Sequence, residues 1–238
     1  VPYSYEVLYK LRFTRMDLPD LKLITQGGGK LSNELFKHYA EFANNTGRKF
    51  IATYGQTEGT ARMAYLPHQF ATAKTGSIGK SIPGGSLSLI DENGTEIEEL
   101  EAEGEMVYKG LNVTLGYANN KEDLSKGDEN KGVLLTGDIA KRDSEGFYYI
   151  IGRKGRFLKL YGHRIGLDEL ETIIKSKFDT DCYCTGNDQV IEVYLTNKSL
   201  TETIKDYVVT ISGIFHNVIT VKYINQIPRN EYGKVISI

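Results

Sequence analysis

The sequence has no apolar run that approaches the length of a membrane span, and it has only two cysteines in 238 residues. Cys182 and Cys184 stand one residue apart, a spacing that suits neither an ordinary disulfide nor a self-sufficient metal site. We therefore expect two reduced thiols that are buried or half-buried. Reduced thiols favour a reducing, cytoplasmic setting.

No sign of charge dominates the sequence. Its 29 Lys and Arg residues and 31 Asp and Glu residues give a net charge of -2, which gives no reason to expect nucleic acid or an anionic membrane as a partner. Hydrophobic residues make up 40% and charged residues 25%, as in ordinary globular proteins. The length allows one large domain or two small ones.

The first part of the chain has the pattern of an α/β segment. Residues 21–24 and 50–54 are candidate strands, and a glycine turn at 27–29 follows the first. Ser32 caps a predicted helix with one apolar face, formed by Leu35, Tyr39 and Phe42. From residue 76 the pattern changes to short strands at 105–109, 133–136 and 147–151, with turns at 91–94 and 143–146. Such a pattern predicts a β-barrel-like or sandwich-like subdomain.

The last part of the chain has the pattern of a compact α+β unit, with candidate strands at 190–195 and 219–224. A first helix has an apolar face of three residues: Leu167, Leu170 and Ile174. A capping-box pattern at 199–202 predicts a second helix. Its inner face would carry Ile204, Val208, Ile211 and Phe215. A glycine and basic-rich stretch at Gly152 marks the predicted domain boundary.

The most informative motif is Tyr-Gly-Gln-Thr-Glu at residues 54–58. The ring of Tyr54, at the end of a strand, can stack on a flat base, and Gly55 would let a ligand approach the backbone. Thr57 can bond a phosphate oxygen and Glu58 can hold a hard cation such as Mg²⁺. A strand-terminating turn with a solvated Thr-Glu pair is at least as good an explanation of this motif alone.

Other residues along the chain are compatible with a nucleotide site. Asp138 follows a buried strand and could accept hydrogen bonds from a ribose diol, with Arg153 on the same sugar; a hairpin-edge Asp and a surface Arg are equally good explanations. Gly28 and Gly29 could pass beneath a ligand ring or simply join a strand to a helix. Lys234, on the C-terminal tail, could bring a charge to a carboxylate and an α-phosphate, although terminal lysines are usually solvated.

Taken in order, these motifs resemble the adenylate-forming superfamily of acyl-CoA synthetases, peptide-synthetase adenylation domains and luciferases. The resemblance covers almost the whole chain, including the linking segment 76–84. It implies that Tyr54 stacks on adenine, that Thr57 contacts the α-phosphate and that Glu58 holds Mg²⁺. It further implies one role for each of four more residues: Asp138 and Arg153 bind the ribose, Arg164 lies near the phosphates or the carboxylate, and Lys234 is the adenylation lysine.

The resemblance also implies a fold, with an α/β segment, a β-barrel-like subdomain and a small α+β C-terminal domain. Residues 1–151 would be the C-terminal part of the large AMP-binding domain, and 152–238 the small mobile domain. The family's Ser/Thr/Gly-rich phosphate loop is not found in the sequence, and the usual hinge Asp or Lys is replaced by Gly155. We therefore expect the C-terminal portion of a larger protein, inactive or weakly active by itself.

The activity implied is that of an ATP-dependent, Mg²⁺-dependent, AMP-forming ligase. Such an enzyme activates a small carboxylic acid as an acyl-adenylate and passes the acyl group to coenzyme A or to the phosphopantetheine thiol of an acyl carrier protein. The alternative is a non-catalytic, truncated nucleotide-binding or scaffolding module.

Overall fold

The computed structural model describes residues 1–161, 163–230 and 235–236, with the backbone alone at Arg164. The chain divides into two compact units, Val1–Ile150 and Ile151–Ile238. Its α-helices in the described ranges are α1 (Pro2–Lys10), α2 (Asn33–Asn45), α3 (Leu167–Phe178) and α4 (Thr201–Ser212). None of the helices within these ranges is both long enough and apolar enough to cross a membrane. The assignment of residues 1–151 to the C-terminal part of a large AMP-binding domain, and of residues 152–238 to a small mobile domain, stays a prediction.

The first sheet of the first unit contains four strands: β1 (Leu23–Gln26), β2 (Lys49–Gln56), β3 (Thr60–Leu66) and β4 (Lys80–Ser81). They lie in sequential order, β1 and β2 being parallel and the other pairs antiparallel. Helix α2 connects β1 to β2 and begins as predicted, because the Ser32 hydroxyl accepts a hydrogen bond from the Leu35 amide at 3.3 Å. Tyr39 is fully buried, whereas Leu35 and Phe42 are partly buried against the same core.

The second sheet of this unit has the order β5 (Gly85–Ile90), β6 (Glu103–Gly110), β7 (Val133–Arg142) and β8 (Tyr148–Arg153). It contains the strands predicted at 105–109, 133–136 and most of 147–151, with antiparallel pairing of β5, β6 and β7. Its buried residues, among them Leu89, Met106 and Tyr148, form an apolar cluster.

The turn between β7 and β8 is held by the carboxylate of Asp143. One oxygen accepts hydrogen bonds from the amides of Glu145 at 3.0 Å and Phe147 at 2.8 Å. The other accepts from Lys74 Nζ at 2.9 Å and from the Tyr149 hydroxyl at 3.2 Å. The predicted turn is thus confirmed, and it is joined to the segment before β4 by an ion pair.

The second unit packs two helices on a three-stranded sheet of β11 (Cys182–Asn187), β12 (Val190–Leu195) and β13 (Ile219–Tyr223). A two-stranded sheet of β9 (Phe157–Leu160) and β10 (His163–Gly166) precedes α3. The predicted apolar face of α3 is confirmed, since its three residues are buried in the core of this unit. Cys182 and Cys184 are also buried there as free thiols.

The prediction for α4 was only partly right. Ser199 does not cap the helix, because it lies in a short 3-10 turn in which the Asn197 side chain accepts from the Ser199 amide at 3.1 Å. Ile204 is fully buried, but Ile211 is 40% exposed. Phe215 is 69% exposed because the helix ends at Ser212 and the next residue, Gly213, has a left-handed φ of 67°. Ile214 enters the core instead.

The two isoleucines of α4 provide a matched test of this packing. Ile204→Ala removes apolar side-chain volume from a closed core and should lower the free energy of unfolding by about 2–5 kcal/mol. Ile211→Ala changes a half-exposed site and should cost less than about 1 kcal/mol, because Ala also has the higher helix propensity. Urea denaturation of the whole chain measures both values. Equal losses would contradict the described orientation of α4.

The Asp143 turn gives a pH-dependent contribution to stability. Burial alone would raise the pKa of Asp143, but the hydrogen bonds from Lys74 and the turn amides outweigh it and lower the pKa. A lowered folded-state pKa stabilises the fold above the unfolded value of about 3.9, and this contribution is lost as the pH falls through the folded value. Asp143→Asn should therefore lower the thermal midpoint of unfolding at pH 7. The difference in midpoint between the variant and wild type should decrease below about pH 4. Asp20→Asn, at an exposed position, is the control. A difference in midpoint between Asp143→Asn and wild type that does not change with pH would refute this contribution.

Candidate functional site

Two predicted site residues from different sheets lie in direct contact. Tyr54, near the end of β2, donates its hydroxyl hydrogen to Asp138 Oδ2 at 2.5 Å. Asp138 lies within β7 and is only 4% exposed, so its carboxylate is almost fully removed from solvent. Because an isolated charge is costly to bury, such a carboxylate needs hydrogen-bond donors around it. The end of β2 provides them.

The second donor is Gln56, which the sequence analysis did not identify. Its Nε2 lies 2.9 Å from each of three oxygens, namely Asp138 Oδ2, the Tyr54 hydroxyl and the carbonyl of Thr136. Gln56 follows Tyr54 by two residues, and side chains two apart in a strand point to the same face. This period of two is the sequence signal that could have found it.

Thr136, Gly137 and Asp138, a Thr-Gly-Asp motif, form a bulge in β7. Glu105 and Val107 of β6 pair with Ile139 and Leu135, so that three residues of β7 lie opposite one residue of β6. Gly137 has a φ of 68°, which favours glycine. Bulges re-aim side chains, and this one directs Asp138 toward β2.

Thr136 anchors the bulge with its hydroxyl. The group donates to the carbonyl of Met106 at 2.6 Å and accepts from the amide of Asp138 at 3.1 Å. The side chain is buried, and both of these hydrogen bonds are local to the bulge. Thr136 therefore fixes the backbone of Asp138, whereas Tyr54 and Gln56 fix its carboxylate.

Gly55 serves the packing of two strands. A Cβ at this position would lie 2.3 Å from the carbonyl carbon of Ala61 and 2.4 Å from the carbonyl oxygen of Thr60. Both atoms belong to the β3 backbone, and a side chain at Gly55 would push β3 away. The space predicted to admit a ligand is therefore taken by β3.

Thr57 and Glu58 lie together in the 3-10 turn that follows β2. Thr57 is exposed, and Glu58 is half-buried. Glu58 Oε1 accepts a hydrogen bond from the hydroxyl of Tyr117. This bond raises the pKa of Tyr117. Tyr117 is the second residue of the site that the sequence analysis missed, because it stands 59 positions away in an irregular segment.

The backbone of this turn is held by the segment that follows β6. The amide of Thr114 donates to the carbonyl of Glu58 at 2.7 Å, and Asn112 Nδ2 donates to the carbonyl of Gly59 at 2.6 Å. The hydroxyl of the buried Tyr108 orients Asn112 at 2.8 Å. Among the described residues, no three His, Cys, Asp or Glu side chains form a group that could hold a metal ion. Glu58 thus lies on a turn whose backbone is fixed by hydrogen bonds.

Gly28 and Gly29 form a turn whose Cβ side faces the first residues of the chain. Gly28 has a left-handed φ of 76°, and a Cβ there would lie 3.0 Å from a methyl of Val1. A Cβ at Gly29 would lie 3.1 Å from the ring of Pro2. The buried Gln26 donates to the carbonyl of Gly29 at 2.6 Å.

The other predicted site residues belong to the second unit or lie outside the described residues. Arg153 is exposed at the end of β8, and its amide lies 3.3 Å from Asp168 Oδ2. Arg164 pairs with Lys159 through the backbone of β10 and β9, and its side chain lies outside the described residues. Lys234 also lies outside them. Gly155 is exposed, with open space where a Cβ would be.

Known proteins resemble this chain along nearly its whole length. A family model described as AMP-binding enzyme matches residues 1–118. The 4-hydroxybutyrate–CoA ligase 1 of Metallosphaera sedula is 27% identical over 98% of this chain and 43% of its own length. The long-chain-fatty-acid–CoA ligase of Salmonella typhimurium is 29% identical over 85% of this chain and 34% of its own. The chain thus spans less than half the length of these relatives.

A solved structure shows the same fold. O-succinylbenzoate coenzyme A synthetase of Bacillus subtilis, in complex with ATP and magnesium ion, superimposes with a TM-score of 0.74 at 24% identity. The match covers 97% of this chain and 48% of that one. The fold is accordingly part of that of an adenylate-forming enzyme, as the sequence predicts. The family model and the ligase relatives show that the chain belongs to the adenylate-forming superfamily of AMP-binding enzymes.

Proposed function

We propose that this chain forms part of an AMP-forming acid–thiol ligase and carries the binding site for the nucleoside of ATP. The observation that carries the proposal is the contact between Tyr54 and the buried carboxylate of Asp138. An aromatic ring and an oriented carboxylate side by side match the two parts of a nucleoside, a flat base and a vicinal diol. The CoA ligases among the relatives support the reaction class.

In this proposal Tyr54 binds the base of the nucleoside and Asp138 binds its ribose. The ring of Tyr54 stacks on adenine, and its hydroxyl stays bound to Asp138, which fixes the ring plane. The carboxylate accepts hydrogen bonds from the ribose hydroxyls. Arg153 contributes a second contact to the sugar, and Gly28 and Gly29 lie beneath the base.

Thr57 and Glu58 are proposed to face the phosphates. The exposed hydroxyl of Thr57 donates to an α-phosphate oxygen. Glu58 fits Mg²⁺, because this ion is usually held by one or two carboxylates together with substrate phosphates and water. When bound, Mg²⁺ neutralises phosphate charge. Tyr117, which already donates to Glu58, orients that carboxylate.

The reaction proposed is an in-line displacement followed by thiol transfer. A carboxylate oxygen of the acid bonds to the α-phosphorus while the bond to pyrophosphate breaks. The sulfur of a thiol then bonds to the acyl carbon and loses its proton to solvent, while the bond from that carbon to the phosphate oxygen breaks and AMP leaves with the electron pair. Lys234 and Arg164 are assigned to the negative charge of the first step, where fixed positive charges are most effective. The thiol is that of coenzyme A or of an acyl carrier protein, and the buried free cysteines fit a reducing cytoplasmic setting.

The nucleoside assignment is tested by removing the charge of Asp138. Asp138→Asn keeps an oxygen that can accept from Tyr54 and Gln56, so we expect the fold to be retained. Hydrogen bonds to a charged group contribute about 1.5–3 kcal/mol, and the variant should therefore bind AMP at least about tenfold more weakly. It should bind 2′,3′-dideoxy-AMP about as well as wild type does. Isothermal titration calorimetry of the chain measures both ligands.

The control is Asp91→Asn, in the turn after β5, which should leave the affinity for AMP unchanged. An Asp138→Asn variant that still prefers AMP as strongly as wild type would disprove the ribose assignment. A non-catalytic nucleotide-binding module would behave identically in this titration. ATP–pyrophosphate exchange by the full-length protein, with a panel of carboxylic acids, separates such a module from a ligase.

A further inference from the structure

We propose that Gln56 is a positioning residue for the recognition of ribose, and that it acts by orienting the carboxylate of Asp138 and the hydroxyl of Tyr54. This inference rests on the proposed function, because it assigns Asp138 to the ribose diol. Gln56 itself contacts neither base nor sugar in this arrangement. Its effect on nucleotide binding passes through its neighbours.

The orientation of the Gln56 amide follows from its partners. The carbonyl of Thr136 and the ionised carboxylate of Asp138 can only accept hydrogen bonds. Both lie 2.9 Å from the same amide atom, which must therefore be the NH₂ group and not the carbonyl oxygen. The Tyr54 hydroxyl gives its hydrogen to Asp138, so toward Gln56 it can only accept. The two hydrogens of the Gln56 amide are therefore shared among three oxygens.

These contacts make the three side chains one unit. Asp138 Oδ2 receives two donors, Tyr54 and Gln56, which fixes the rotation of the carboxylate about its Cβ–Cγ bond. The Thr136 carbonyl ties the Gln56 amide to the bulge of β7. The end of β2 and the bulge of β7 are thereby joined at the point where the diol would bind. Recognition by a carboxylate is strongest when its oxygens are already held in the bound orientation.

The proposed role requires a hydrogen-bond donor in the side chain at position 56. A glutamate of the same shape would place a second carboxylate against Asp138 Oδ2 and the Thr136 carbonyl, which would repel it. A methionine fills the same space without donating, so Asp138 would keep only Tyr54 as a partner from this strand. The two replacements separate the shape of the side chain from its hydrogen bonds.

The experiment is calorimetry of the whole chain with AMP and 2′,3′-dideoxy-AMP, for wild type, Gln56→Met and Gln56→Glu. We expect Gln56→Met to reduce the preference for AMP about tenfold, the scale of one hydrogen bond to a charged group. The affinity of Gln56→Met for the dideoxy analogue should stay within about twofold of the wild-type affinity, because Tyr54 still stacks on adenine. Gln56→Glu should lose at least as much preference as Gln56→Met. The control Gln69→Met makes the same change at an exposed position and should alter neither affinity.

The outcomes distinguish this inference from the proposed function. A wild-type chain without any preference for AMP would refute the ribose assignment itself. A wild-type preference that Gln56→Met retains within about twofold would overturn the positioning role alone. Should Gln56→Met not fold, Gln56→Asn, which keeps a shorter amide, is titrated in its place. Failure of both variants to fold would assign Gln56 to structural stability and would also overturn the proposal.

Discussion

The candidate site depends on the hydrogen bonds around one buried carboxylate. Asp138 is removed from water by its position in β7, and an ionised group in that position is tolerated only when donors replace the lost solvent. The Tyr54 hydroxyl and the Gln56 amide provide them at 2.5 and 2.9 Å. This requirement explains why the end of β2 is rich in polar side chains although it lies between apolar clusters.

Two backbone irregularities make that arrangement possible. The bulge of β7 places three residues opposite one and uses the positive φ of Gly137 to turn Asp138 toward β2. At the end of β2, Gly55 has no side chain, which lets the β3 backbone pass within van der Waals reach. Gly137 and Gly55 thus shape their strands. The adjacent residues, Asp138 and Tyr54, make the hydrogen bond of the site. The two motifs are 80 residues apart in sequence and meet through Gln56 and Thr136.

Much of the fold could be predicted because it follows local rules. Ser32 caps α2 by a hydrogen bond within one helical turn, and the apolar spacing of α3 matches its buried face. Prediction failed where a neighbour decided the outcome. The exposure of Phe215 depends on where the helix ends, and the contacts of Gln56 depend on a strand from another sheet. Tyr117 and Glu58 are 59 positions apart, and no periodic pattern in the sequence predicts their contact.

The central claim is that Tyr54 and Asp138 together receive a nucleoside. A crystal structure of the chain grown with AMP tests this most directly. We predict adenine stacked on the ring of Tyr54 and the ribose hydroxyls about 3 Å from the carboxylate of Asp138, with Gln56 still bound to that carboxylate. AMP bound elsewhere, or a carboxylate of Asp138 that makes no contact with the ribose in crystals saturated with AMP, would contradict the account.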